Sequence, residues 1–237
     1  MDADVEPRIL LQQPHGLRKP RARDDDVGRR QDTVLERLDG GRVDAVRRAQ
    51  RTADKTAWAA LEDGELKAGE ILLVQAGSSG TGQAAIDIGR HLGANVYATA
   101  TRSKHDRLRE LGAEPLAYDD ERLAELEAAV VFDPVLGEGL ERSLAALAPG
   151  GRLVTCGALD TPMVSINMWT VVGKRLRIIG TGGGSVSPEQ LDHLIELVAT
   201  GALRGPVIDR ELPLDQAAEA HRLIENRETF GKVVLKP

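Results

Sequence analysis

The chain has 237 residues, 41% of them hydrophobic and 29% charged, and a formal net charge of −6 at pH 7. This balance suits a soluble globular protein with a sizeable core; it excludes a disordered chain and offers nucleic acid no electrostatic footprint. No apolar run approaches the ~20 residues that cross a bilayer. The polar, acidic N-terminus shows no secretory signal, and the single cysteine, Cys156, excludes an internal disulfide or a cysteine-built zinc cluster within one chain. A reducing cytoplasm is the expected compartment.

Residues 1–55 differ in texture from the rest. They hold thirteen Lys/Arg and eleven Asp/Glu with scattered apolar residues. Leu35, Leu38, Val43 and Val46 could line short helices around Gly40-Gly41, but a poorly ordered arm is expected. An arm that binds an anionic partner is the other reading, which the near-equal acids and bases disfavour. Order is expected from Thr56, with a short helix over 56–61 and one ordered domain over 56–237.

Residues 71–74 (ILLV) read as a buried strand. Gly77, Ser78, Ser79, Gly80, Thr81 and Gly82 follow, and then Ala84, Ala85, Ile86, Ile88 and Leu92 recur at helical spacing. Strand, glycine-rich turn and helix together make a seat for a diphosphate, because the first amides of the helix and its dipole face the anion. Gly77 would allow the tight turn and Gly82 the close approach of helix to strand. Ser79 replaces the middle glycine of G-x-G-x-x-G; its small side chain still admits a phosphate.

Further strands are predicted over 95–100, 116–118, 130–132, 152–156 and 176–179. The intervening helices are predicted over 103–111, 119–128, 139–147 and 187–200, the last opened by Ser-Pro-Glu. Pro149-Gly150-Gly151 reads as a turn. This alternation predicts an α/β, Rossmann-type doubly wound parallel sheet with its ligand edge at the strand C-termini. The last piece reads as strand, helix (214–225) and strand (232–236), a coda that could close the sheet or pack on another domain.

An Asp or Glu at the end of the second strand would favour NAD. Here the strand ends in Ala98-Thr99-Ala100-Thr101, and Arg102 and Lys104 follow. Those cations suit an extra phosphate, so NADP(H) is expected over NAD; ordinary surface charge is the plain alternative.

The motifs TAWAAL, LKAGEILLVQAGSSGTGQAAI, RELGAE, VVFDPVLG, LAPGGRLVTCG and AAEAHRLIENRETFGKVVLKP occur in this order from residue 56 onward. Together they resemble the cofactor domain of the medium-chain dehydrogenase/reductases, within them the zinc-independent quinone oxidoreductases. The resemblance implies an NADPH-dependent oxidoreductase that passes hydride to a quinone or an α,β-unsaturated carbonyl, and a homodimer formed through the edge strand. It also implies that Lys104, Tyr118 and Arg227 hold the 2′-phosphate, and that loops at Asp133-Pro134, Gly157-Ala158 and Thr181-Gly182 flank the nicotinamide. The GroES-like barrel that precedes this domain in the family is not recognisable, and residues 1–55 are expected to be a displaced or misread stretch in its place. The zinc branch's Gly-His-Glu motif is missing too. His15, His91, His105, His193 and His221 stand apart, so no metal site is expected. With half of the substrate cleft missing, weak or no turnover is expected. The rival reading is a nucleotide-binding or dimerising module without catalysis. A third is a product that binds nothing, its uncovered apolar seam promoting association.

Overall fold

The computed structural model describes residues 52–182, 186–204 and 207–236. The N-terminal arm, as far as residue 51, and the short helices expected around Gly40-Gly41 lie outside the described residues.

Helix α1 (Thr52–Asp63) leads to β1 (Ile71–Val74) and α2 (Gly80–His91). Next come β2 (Asn95–Thr99), α3 (His105–Glu110), β3 (Glu114–Leu116) and β4 (Ala128–Phe132). The second half adds α4 (Leu140–Ala145), β5 (Leu147–Thr155), α5 (Met168–Lys174), β6 (Arg177–Gly180) and α6 (Pro188–Ala199). The coda is β7 (Ile208–Pro213), α7 (Ala217–Glu225) and β8 (Lys232–Lys236).

β1 to β6 form one parallel sheet in the order β3-β2-β1-β4-β5-β6. The chain winds outward from β1 to β3 and then returns to add β4 on the other side of β1, with Leu73 opposite both Tyr97 and Val131. That reversal opens a crevice beyond the C-terminal ends of β1 and β4, the usual ligand edge of such sheets. The central strands are buried on both faces, so they read as unbroken apolar runs: Leu72, Leu73, Val74, Val130, Val131 and Phe132 are fully buried. Gly89 lets α2 settle on the sheet, since a Cβ there would stand 2.5 Å from Leu72 Cδ2.

The fold is the predicted α/β, Rossmann-type sheet, with local departures. Residues 149–151, predicted as a turn, lie inside β5 at the irregularity in its pairing with β4, and β3 falls at 114–116 rather than 116–118. The helix predicted over 119–128 is a 3-10 turn, Glu121–Glu125, capped by Asp120. Only Leu123 of that turn is buried; Glu127 turns left-handed (φ +50°), and β4 claims Ala128. Helix α5 was not foreseen, because MWTVVGK carries β-branched and aromatic residues typical of strands. It forms with Asn167 capping the Trp169 N–H and Arg175 ending it in a left-handed conformation. The coda neither closes the main sheet nor extends it: β7 and β8 make a separate parallel pair.

Candidate functional site

Three distant pieces of chain meet beyond the ends of β1 and β2. The first is the glycine bend. Gly77 N–H donates to the Thr99 carbonyl (2.8 Å), and Ala76, held at φ +53°, donates its N–H to Thr99 Oγ1 (3.1 Å). A Cβ on Gly77 would stand 2.7 Å from Ala98 Cβ, and one on Gly82 would overlap the Ala76 carbonyl. The close packing of bend, strand and helix therefore depends on both glycines. Ser79 caps α2, its Oγ accepting from the Gly82 N–H (3.0 Å), while the first helical amides, at Gly80 and Thr81, lack intrahelical partners. Ser78 and Thr81 are half-buried beside them.

The second piece is the coda, which lies against the bend. Gly231 N–H donates to the Ser78 carbonyl (2.8 Å), and buried Gln83 accepts from the Val207 N–H (2.8 Å). Lys232 is brought to the mouth of α2: a Cβ on Gly80 would stand 2.6 Å from Lys232 Cε and 3.1 Å from its Nζ. An ammonium beside the positive end of a helix is disfavoured unless an anion joins them. Reading the sequence did not identify Lys232. Its only local signal is the Gly-Lys step before the last strand, which says nothing of where the side chain arrives.

The third piece follows β2. Lys104 Nζ donates to the carbonyls of Arg227 and Thr229 (2.7 Å each), so the turn after β2 and the end of α7 are joined through one ammonium. Burial lowers the pKa of Lys104, against the pull of the Asp209 carboxylate. Tyr118 is half-buried just past β3; burial raises its phenol, and the Arg227 charge opposes that rise. Lys104, Tyr118 and Arg227 are thus brought together, with Arg227 exposed and at φ +57°. Arg102 is placed differently: it pairs with Asp119 (2.9 Å), both about 72% exposed. Thr99 is fully buried beneath the bend rather than presented at its surface.

On the other side of the crevice, Asp133 is buried at the end of β4. Gly157 is exposed beyond β5, its N–H donating to Thr155 Oγ1 (3.3 Å). Thr181 is 6% exposed, and among the described residues its Oγ1 has no hydrogen-bond partner. A buried, unsatisfied hydroxyl calls for a missing partner such as water or a ligand. Burial raises the Cys156 thiol.

The profile of the zinc-binding dehydrogenases matches residues 111–235, more than half of the chain. The chain belongs to that family. This zinc-binding dehydrogenase domain is 39% identical over 188 residues to the polyketide synthase GfsB of Streptomyces halstedii, covering 76% of the chain and 3% of GfsB. Among solved structures it is similar to the quinone oxidoreductase of Coxiella burnetii (30% identity, TM-score 0.68, 80% of this chain and 59% of that one). It is also similar to the 2-octenoyl-CoA carboxylase reductase CinF, solved with NADP and 2-octenoyl-CoA (25% identity, TM-score 0.68, 77% and 47%). The domain therefore spans a small part of the polyketide synthase and about half of each enzyme. It is the cofactor-binding domain of the medium-chain dehydrogenase/reductase superfamily, an oxidoreductase family whose reductases use NAD(P). Among the described residues no three His, Cys, Asp or Glu side chains stand together to hold a metal, so the residues do not fit the zinc of the family's name. Among them, too, no helix is long and apolar enough to cross a membrane.

Proposed function

We propose that this domain binds NADP(H) and serves hydride transfer to an α,β-unsaturated carbonyl or a quinone, an unsaturated acyl thioester being the favoured acceptor. The observation that carries the cofactor assignment is the meeting of Lys104, Tyr118 and Arg227 at the end of β2. The glycines at 77 and 82 let the bend pack closely on β2 and on the start of α2, and that bend with the free first amides of the helix suits a dinucleotide. Gly80, Thr81 and the first amides of α2, with the Lys232 ammonium, would hold the diphosphate. Lys104, Tyr118 and Arg227 would hold the 2′-phosphate, and Arg102 would lend charge from outside. Gly157 and Thr181 would face the nicotinamide.

When bound, the reduced nicotinamide supplies a hydride to the β-carbon of an enone while the α-carbon takes a proton from water, leaving oxidised cofactor and saturated product. The chain's own part is to orient the dinucleotide and supply charge around it. Support for the acceptor comes from CinF, with its 2-octenoyl-CoA, from the quinone oxidoreductase, and from the polyketide synthase relative.

Titration with NADPH and NADH, followed by fluorescence and run beside turnover assays with a 2-enoyl thioester and a quinone, tests the proposal. Tighter NADPH binding with slow, thioester-dependent oxidation is expected; no binding at millimolar NADPH would sink it. One observation favours the rival, a binding module without catalysis. Leu159 and Met163, past the Gly157 loop, are 77% and 83% exposed, which leaves the nicotinamide side open to water. NADPH binding with no oxidation by any acceptor would establish that rival. The partner we propose is a second copy joined along β6. That strand is an edge of the sheet, and Ile178 on it and Trp169 and Val172 on α5 are exposed. Light scattering that gives a monomer at micromolar concentration would remove the dimer.

A further inference from the structure

A chain of buried side chains runs beneath the crevice from one wall to the other. Ala76 N–H donates to Thr99 Oγ1 (3.1 Å), and Thr99 Oγ1 donates to Gln75 Oε1 (2.6 Å). Gln75 Nε2 donates to Ser143 Oγ (3.0 Å), and Ser143 Oγ donates to Asp133 Oδ2 (2.7 Å). The other Asp133 oxygen accepts the N–H groups of Val135 and Leu136 (2.9 Å each). Thr99, Ser143 and Asp133 are at most 1% exposed and Gln75 is 8% exposed. Every donor has one acceptor, so the polarity of the chain is unique. Turning the Gln75 amide over would set its NH2 against a donating hydroxyl and its oxygen against Ser143, whose proton already belongs to Asp133.

The two ends share a feature. Ala76 has φ +53° and Leu136 has φ +57°, positive values that residues with side chains rarely adopt. One opens the glycine bend and the other lies in the loop after β4. Strained backbone of this kind persists only where its surroundings over-determine it. Each strained residue has its N–H fastened to an end of the same buried chain. Buried networks in which every group is satisfied rigidify what they touch.

We propose that Thr99, Gln75, Ser143 and Asp133 act together as positioning residues. They hold the diphosphate bend and the loop facing the nicotinamide in their strained shapes, at a fixed separation across the switch point. The ligand-side consequence rests on the NADP(H) reading above. Gln75 and Ser143 would touch no cofactor, yet would set the span that the dinucleotide must match.

The test compares Thr99→Val, Thr99→Ser, Ser143→Ala and Gln75→Leu/Ser143→Ala with wild type by amide hydrogen exchange and by NADPH and NADH titration. Ser143→Ala is expected to speed exchange in residues 75–82 and 133–138 by about tenfold and to weaken both cofactors by a like, equal factor. Thr99→Val should do the same, Thr99→Ser should restore wild-type behaviour, and the double variant should be no worse than Ser143→Ala. Unchanged exchange at the bend in Ser143→Ala, or losses that multiply in the double variant, would overturn the proposal. Should Ser143→Ala not fold, the Thr99→Val and Thr99→Ser pair decides it alone. If wild type binds neither cofactor, the NADP(H) reading fails, while the exchange data still decide whether the chain holds the bend.

Discussion

Lys104→Met removes one ammonium from a place where it performs two tasks. Two of its three N–H groups go to the carbonyls of Arg227 and Thr229, 2.7 Å away each, which leaves one for a phosphate oxygen. A hydrogen bond to a charged group contributes about 1.5–3 kcal/mol, and at about 1.4 kcal/mol per tenfold this is roughly 10–150-fold in Kd for NADPH. Lys104 is half-buried, which lowers its pKa and partly dehydrates the ammonium, so water screens its attraction to phosphate less. NADH carries only a neutral 2′-hydroxyl at that position. It should lose about threefold or less, through loosening of the coda, because the Arg227 carbonyl is exposed and the Thr229 carbonyl only part-buried, so that water can replace the ammonium. Isothermal calorimetry with each cofactor measures the two losses on one sample. Equal losses for NADPH and NADH would show that Lys104 fastens the coda and reads no phosphate, and the NADP assignment would fall with it.

Lys232→Gln should weaken NADPH and NADH by the same factor, about tenfold, since both carry the diphosphate; a selective loss of NADPH in the titration would place Lys232 elsewhere. Gly82→Ala sets local and tertiary effects against each other. Helix propensity favours Ala by ~1 kcal/mol, but the new Cβ would overlap the Ala76 carbonyl. We expect a net loss of roughly 1–3 kcal/mol in urea unfolding, and a stabilised protein would refute the packing. The preference for NADPH over NADH should vary with pH at both ends. Below about pH 6 the 2′-phosphate takes up a proton and the preference shrinks. On the alkaline side Lys104, its pKa lowered from 10.5, loses its proton earlier than a free lysine would, so the preference fades as pH rises through that lowered pKa. In Lys104→Arg the alkaline fade should vanish, and its persistence would assign it to another group.

Much of the fold was legible because it is encoded locally. Residues 71–74, apolar and β-branched before a glycine-rich turn, read as a buried strand, and the periodicity after Gly82 is that of a helix with one apolar face. Ser187 followed by Pro188 announces α6, whose Ser187 and Gln190 form a reciprocal cap. The legibility failed where neighbours overruled the pattern. Residues 119–128 have a helical spacing of leucines, but β4 pairs from Ala128 onward, with the Ala128 N–H bonded to Ala146, and too few residues remain for a helix. Helix α5 has the composition of a strand, yet its last turn is pinned by Lys174, whose Nζ donates to Ala145 and Leu147 (2.6 and 2.7 Å).

The site divides in the same way. That residues 77–82 form a glycine-rich bend opening a helix, and that cations rather than an acid follow β2, could be read from the amino acids alone, because both depend on neighbours within a few residues. That Lys104 grips Arg227 from 123 positions away is visible only in the folded chain. The same is true of Lys232 at the mouth of α2, of Thr99 lying under the bend, and of the strained residues Ala76 and Leu136 sharing one buried polar chain. Such contacts are formed by strand order and crossover geometry, which bring distant segments to one sheet edge, and no local preference along the chain carries that information.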